Sequence, residues 1–349
     1  MRLSEAIKIY RNHLEVERSK ITAKGYYTYL LQFCMFMRNP MIMQIAPEHV
    51  EEYLKARIDL GYSKNSLVVP SMALRKFFEY WKKKGYPVLN YETLPVMHKE
   101  GVEPKVASRE VIKKILEQCA GDDIYQVRNK AIIMLFVDSG MRNGELCSLN
   151  TDIDTDTFNF VRQCPCGQEI TFNSTLSRML PDAQKCSKCD KTMEATPNDP
   201  NTTKQFSHVI KTEKRRSGIV HRRIFWYEET NTALRNWIEK RTMFVKFFNA
   251  KVPEALFIGV KSWRSGYRMT SYTVGLMLRD ISAAAGVETV NAHSLRHMFG
   301  FESAEENLNN SNISDLMGHA SLTSSFVYTH LRGEALGNAH RKVKKKLVT

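Results

Sequence analysis

The chain has 349 residues, enough for about two ordinary domains, and its 43% hydrophobic and 25% charged residues are the balance of a water-soluble globular protein. Its 51 Lys and Arg outnumber 37 Asp and Glu, leaving a net charge of +14 and a pI near 9.4. Such an excess points to a polyanionic partner, because each neutralised phosphate releases condensed counterions. The longest wholly apolar run, Ala131 to Val137, is too short to cross a bilayer, and MRLSEAIKIY lacks a signal-peptide core, so a soluble, intracellular protein with no membrane partner is expected.

Residues 1–86 read as a four-helix bundle. Leu3, Ala6, Ile7, Tyr10 and Leu14 share one face at helical spacing. A second helix is expected from Thr22, as N-cap, through Tyr26, Tyr27, Leu30, Leu31 and Phe33 to Met37. Pro47 opens a third through Val50, Tyr53 and Leu54, which Gly61 ends. Ser63 begins a fourth, with Leu67, Met72, Leu74, Phe77, Phe78 and Trp81 as its buried stripe. Core packing accounts for these aromatics without a ligand.

Periodicity then fails across 87–106, where Pro87, Pro95 and Pro104 mark a linker. A second domain, 107–349, starts with Ser108 capping a helix from Arg109 to Gln118. An apolar helix from Val127 to Val137 stops at Gly140, and a short one carries Arg142 to Ser148. Strand alternation follows Asp152, breaks, and resumes at Ser207–Lys211 and Ile219–Trp226 around the basic turn KTEKRRSG. Helices are expected at Thr230–Lys246, Tyr272–Ala285, from Ala292, at Ile313–Gly318 and at Ser321–His330, before the basic tail HRKVKKKLVT. The fold class is mainly α with a small β-sheet or hairpin.

Four of the seven cysteines, Cys164, Cys166, Cys186 and Cys189, fall within the segment 162–206. The odd total argues against a disulfide framework. The C-x-C…C-x-x-C pattern suits four thiolates about 2.3 Å from one structural Zn2+ ion, as in a zinc ribbon. The shortened first pair strains the fit, and reduced thiols in a loose loop are the alternative. A segment this small is expected to fold only with its metal.

Four separated stretches carry groups suited to phosphoryl transfer: SGMRNGELCSL with Arg142 and Glu145, the hairpin with Lys211 and Lys214, AHSLRHMFG with His293, Arg296 and His297, and LMGHASLTSSFVYTHL with His319 and Tyr328. Two arginines can meet the negative charge that grows on a phosphate's non-bridging oxygens. His293 and Arg296, three apart, share a helix face. A lysine at a hairpin tip could protonate a leaving oxygen. A tyrosine nucleophile needs help to ionise, since its unperturbed pKa is about 10.

In order and in neighbours, these motifs resemble the tyrosine recombinase (phage integrase) family. The family's Arg-x-x-Glu-Leu is Arg142, Glu145 and Leu146; its His-x-Leu-Arg-His is His293 to His297; its Leu-x-Gly-His is Leu316 to His319; and Tyr328 lies in its nucleophile box. Lys211 and Thr212 match its hairpin Lys-Thr. The resemblance implies an N-terminal core-binding, SAM-like four-helix domain that clamps DNA with a catalytic domain, the cysteine segment being an insertion in the latter. It implies a site-specific recombinase, an integrase or resolvase of a mobile element or chromosome, that works as a tetramer on paired sites of double-stranded DNA beside the nucleoid in the cytoplasm. Arg142 and Arg296 would hold the scissile phosphate, Lys211 would protonate the 5′ oxygen, and His293 would act on the tyrosine proton. His319 would bond a phosphate oxygen, Tyr328 would form a 3′-phosphotyrosyl link, and Glu145 would orient its neighbours. No cofactor or small-molecule substrate is implied for the chemistry. A non-catalytic DNA-binding relative and a type IB topoisomerase are the alternatives.

Overall fold

The computed structural model describes residues 1–318 except 102–103, 177–180, 198–201, 213–220, 249–253, 262–264 and 307. Lys214, His319, Tyr328, the helix expected at 321–330 and the basic tail therefore lie outside the described residues. The chain divides into two compact units, Met1–Glu103 and Pro104–Thr349. Among the described residues no helix is long and apolar enough to cross a membrane.

The first unit holds α1 (Leu3–Glu17), α2 (Lys20–Phe36), α3 (Pro47–Asp59) and α4 (Lys64–Lys83). The buried face of α1 is the periodic set Leu3, Ala6, Ile7, Tyr10 and Leu14. The cap of α2 is Ser19 and not Thr22: the Ser19 hydroxyl accepts the Thr22 N–H at 3.3 Å, so Thr22 sits inside the first turn. Pro47 opens α3, Ser63 caps α4, and Gly61 between them takes a φ of +87°. Met72, expected in the stripe of α4, is 47% exposed. The helical repeat instead carries Leu67, Ser71, Leu74, Phe78 and Trp81 inward. Val88, Leu89 and Leu94, from the Pro-rich stretch, are buried in this same core.

The second unit begins with α5 (Arg109–Glu117), α6 (Ile124–Ser139) and α7 (Asn143–Ser148). Ala131, Ile132, Ile133, Leu135 and Phe136 are all inaccessible, as a helix covered on every side requires, and α6 packs against elements on several sides. Four antiparallel strands follow, β1 (Thr157–Gln163), β2 (Glu169–Thr175), β5 (Gln205–Lys211) and β6 (His221–Tyr227), in the spatial order β2-β1-β5-β6. The short β3 (Gln184–Lys185) and β4 (Thr192–Met193) pair separately. The cysteine segment is thus joined to the main sheet: β2 runs along β1, and Phe172 stacks on Phe160 with ring centroids 5.2 Å apart. Helices α8 (Glu228–Phe248), α9 (Ser271–Ala284), α10 (Ala292–Glu305) and α11 (Asn310–Met317) complete the described unit.

Candidate active site and candidate metal centre

The Arg-x-x-Glu motif is first of all a helix start. Arg142 is the N-cap of α7 in extended conformation, not its first residue, and Glu145 at the third helical position accepts the Arg142 N–H at 2.8 Å. The same carboxylate takes the Arg142 guanidinium Nη1 at 2.9 Å. Local helix geometry therefore aims the arginine. Glu145 is completely buried, and its second oxygen also accepts Arg222 Nη2 at 2.8 Å. Burial alone would raise the Glu145 carboxyl pKa, but Arg222 and then Arg142 outweigh it and hold the carboxyl below its ordinary value.

Three guanidiniums converge on the end of α11. Helix α11 closes on Gly318 at a φ of +65°, leaving its last carbonyls without helical partners. Arg222 donates to the Leu316 carbonyl, Arg296 Nη2 donates to Met317 O at 2.6 Å, and Arg142 Nη2 donates to Gly318 O at 2.7 Å. Cations are stabilised at this negative pole of a helix. Arg296 bridges to a second helix end through Gly140 O at 2.6 Å, where Gly140 closes α6 at a φ of +56°. A side chain at Gly140 would strike the Phe299 ring at 2.4 Å, so glycine is required there twice over.

Asn291 caps α10 by accepting the N–H groups of His293 and Ser294, both at 2.9 Å, and this sets the rotation of the helix. Arg296 then points inward, while His293 stays exposed with its ring edge-on to His297, centroids 4.2 Å apart. Partial desolvation of this exposed ring against its packed neighbours, with the Arg296 and Arg142 charges nearby, lowers the His293 pKa. His297 is pushed down to about 4 by burial, His293 and Arg296. Both imidazoles are therefore neutral at physiological pH and able to accept a proton.

Lys211 ends β5 opposite His221 of β6, with its side chain exposed. Thr212 beside it is buried, with an Oγ1 that has no partner among the described residues. A Cβ on Gly318 would lie 3.2 Å from the Thr212 methyl, so the hairpin base abuts the turn that ends α11. The structure thus brings together Arg142, Glu145, Arg296, His293 and the root of the lysine hairpin. His319 follows Gly318 in sequence.

Sequence reasoning passed over Arg222. The signal was available, because Arg222, Ile224 and Trp226 alternate onto the inward face of β6. An arginine in register with two core residues needs a buried partner.

The four cysteines gather at two turns. The β1–β2 turn carries Cys164 and Cys166, with Gly167 at a φ of +84°; the β3–β4 turn carries Cys186 and Cys189, with Asp190 at +60°. Sγ of Cys164 is 3.5 Å from that of Cys189, Cys166 and Cys186 are likewise 3.5 Å apart, and all four lie within 4.8 Å of one another. Pairing across the two turns, not within them, accommodates the shortened C-x-C. Backbone N–H groups of Lys188 and Cys189 help lower the Cys186 thiol to about 6, whereas the neighbouring thiols raise Cys189 to about 12.

A cluster with two arginines held on backbone carbonyls, neutral imidazoles alongside and a lysine hairpin at its edge carries the groups that phosphoryl transfer needs. The family comparison gives that class its name. Residues 191–334 match the phage integrase family, and residues 7–85 match the phage integrase N-terminal SAM-like domain. The chain belongs to the phage integrase family of tyrosine recombinases. Arg142, Glu145 and the four clustered cysteines lie in the stretch between the two matched segments. The tyrosine recombinase XerC of Corynebacterium glutamicum is 23% identical over 352 residues, covering 98% of this chain and 92% of that protein. Tyrosine recombinase XerD of Rickettsia conorii is 24% identical, covering 85% and 83%. Among solved structures, the Tn1549 transposon integrase in complex with transposon right end DNA superposes with a TM-score of 0.65 at 16% identity, covering 100% of both chains. XerH bound to its difH substrate gives a TM-score of 0.60 at 18% identity, covering 95% of this chain and 83% of that one.

Proposed function

We propose that Arg142, Lys211, His293, Arg296, His319 and Tyr328 carry out strand cleavage and rejoining at a specific site in double-stranded DNA, the chain being a tyrosine-type site-specific recombinase. The observation that carries the assignment is the convergence of Arg142 and Arg296 on consecutive carbonyls at the end of α11, immediately before His319 in sequence. In the cleavage step the Tyr328 oxygen bonds to phosphorus as the bond from phosphorus to the 5′ oxygen breaks. His293 takes the tyrosine proton, and Lys211 delivers a proton to the departing 5′ oxygen. Arg142, Arg296 and His319 hold the non-bridging oxygens, whose charge grows in the transition state. Glu145 holds Arg142. Rejoining is the reverse, with the 5′ hydroxyl of a partner strand attacking the phosphotyrosine. One phosphoester replaces another of similar energy, so the exchange needs no energy source.

The same reading takes double-stranded DNA and further copies of this chain as partners, with the protein working on DNA in the cytoplasm. The net charge of +14 supports a duplex partner. A lambda integrase solved with DNA is a dimer on its core site. The domain reading is a DNA-clamping bundle at 1–86, a connection at 87–106, and a catalytic domain at 107–349 that contains the 162–206 insertion.

A structural Zn2+ ion held by Cys164, Cys166, Cys186 and Cys189 belongs to this proposal. Tetrahedral bonds of about 2.3 Å set sulfurs roughly 3.8 Å apart, and the observed sulfur spacings, from 3.5 Å to no more than 4.8 Å, bracket that geometry. Bound there, the ion would tie the two turns together.

The test uses nicked suicide duplexes from the native genetic neighbourhood, with wild type and Tyr328→Phe compared on denaturing gels. A covalent protein–DNA band formed by wild type alone is expected. A wild type that binds this DNA yet forms no band overturns the catalytic assignment, and adducts without recombinant product favour strand relaxation.

A further inference from the structure

We propose that Arg222 is a positioning residue for strand cleavage, joining the carboxylate that aims Arg142 to the helix end that leads into His319. The proposal rests on the catalytic reading above. Arg222 is 4% exposed at its side chain, and its guanidinium reaches Glu145 Oε2 at 2.8 Å on one side and the Leu316 carbonyl on the other. It stands on β6, near the hairpin root that carries Lys211. One planar group, carried by the strand that pairs with the Lys211 strand, therefore contacts both the arginine helix start and the α11 terminus.

Charge explains why an arginine serves here and an aliphatic residue would not. Glu145 facing Arg142 alone would form a neutral pair, with little left to attract a phosphate. With Arg222 on its second oxygen, the trio keeps a net positive charge, and Arg142 remains a cation available to DNA. Close packing adds to this. A Cβ on Gly318 would sit 2.6 Å from Arg222 Cδ, so the α11 terminus rests directly on the arginine stem. A shift of Arg222 would move Gly318 and Glu145 together.

Stability alone does not account for the arrangement. Replacing a buried ion pair by well-packed apolar residues is often neutral or stabilising. A residue kept for stability and one kept for positioning therefore give different results in the same variants.

The experiment compares wild type, Arg222→Lys, Arg222→Met and the double variant Arg222→Met with Glu145→Gln. For each, the thermal midpoint, the affinity for uncleaved duplex and the single-turnover rate of covalent adduct formation at saturating DNA are measured. We expect Arg222→Met to bind DNA within about twofold of wild type but to cleave roughly 100-fold more slowly, the scale of loss for a misplaced catalytic group. Arg222→Lys should recover part of that rate, keeping the charge but not both bonds. The double variant, which removes the buried negative charge that Arg222→Met leaves with Arg142 as its one remaining cation among the three arginines, should regain thermal stability without regaining cleavage. Two results overturn the proposal: Arg222→Met cleaving at the wild-type rate, or cleavage returning with stability in the double variant. Failure of wild type to form any adduct would instead overturn the catalytic reading itself, so the two failures are distinguishable.

Discussion

The arginine cluster at the end of α11 and the cysteine cluster between the β-turns solve opposite electrostatic problems. Arg142 and Arg222 share one carboxylate, Glu145, and together with Arg296 they bond to the carbonyls of Gly140, Leu316, Met317 and Gly318. Carbonyls fix a guanidinium without cancelling its charge, so the cluster stays positive while its geometry is already set. The four thiols lack that balance. Two of them differ in proton affinity: the backbone N–H of Lys188 helps bring Cys186 down to about 6, while hydrogen bonding with the neighbouring thiols raises Cys189 to about 12. One cluster is arranged to receive an anion from outside; the other would be completed by a cation within.

The largest expected effect lies in the arginine cluster. Arg296→Ala removes the donor to two helix ends and one of the two proposed phosphate clamps. Single-turnover adduct formation should fall by about 10²- to 10³-fold, as when a transition-state donor is deleted. Arg296→Lys should rescue little, since one ammonium cannot reproduce the planar fork that reaches Gly140 and Met317 together. A lysine variant near wild-type rate would mean that charge alone, not the fork, matters there.

Metal removal should act on stability and leave chemistry untouched. Elemental analysis should find one zinc ion per chain. Chelation or Cys186→Ser should lower the thermal midpoint, at a cost of several kcal/mol. The loss should reach the main sheet, because Cys164 and Cys186 are buried in the same core as Phe160 and Phe172. Below the new midpoint, the adduct should still form at a rate close to wild type. A zinc-free protein of unchanged stability would remove the metal from the account.

Two glycines sharpen the contrast. Gly140 and Gly167 both have positive φ, but a Cβ at Gly140 meets the Phe299 ring at 2.4 Å, whereas nothing lies within 4 Å of one at Gly167. Gly167→Ala should cost about 1 kcal/mol, from backbone conformation alone. Gly140→Ala should cost roughly 2–4 kcal/mol, the conformational penalty plus overpacking. Chemical denaturation of the two variants measures the difference, and equal costs would show that the α6 terminus yields more than its packing implies.

The sequence revealed these regions unequally. The face of α1 and the caps at Ser63 and Ser108 follow from periodicity and local hydrogen bonding, so they were legible. The Arg-x-x-Glu and His-x-Leu-Arg-His motifs were legible because their spacing is built into a helix start and a helix face. That Arg142 is a cap, and that Glu145 serves two arginines, needed the fold: alternation on β6 marks Arg222 as inward-facing, but not which distant carboxylate it meets. Strand β2 was hidden for another reason. Turn-forming residues around the cysteines mask a seven-residue alternation whose partner strand lies just before the first cysteine pair. Met72 shows the limit of counting apolar residues, for its place on α4 falls outside the buried stripe.

The smallest effect concerns acid. His297 is held at about 4 in the folded protein against an ordinary 6.5, because burial, His293 and Arg296 all disfavour its protonation. The unfolded chain therefore binds the proton more readily than the folded one between those values. The stabilisation is complete above about pH 6.5 and is lost as pH falls towards 4. His297→Gln should flatten that part of the stability curve, measured by denaturant titration at successive pH values, and leave stability at neutral pH less affected. His293, also lowered, would retain part of the slope, so the flattening should be partial. An unchanged slope in His297→Gln would assign the acid sensitivity elsewhere and show that positive charge around the arginine cluster does not extend one helical turn beyond His293.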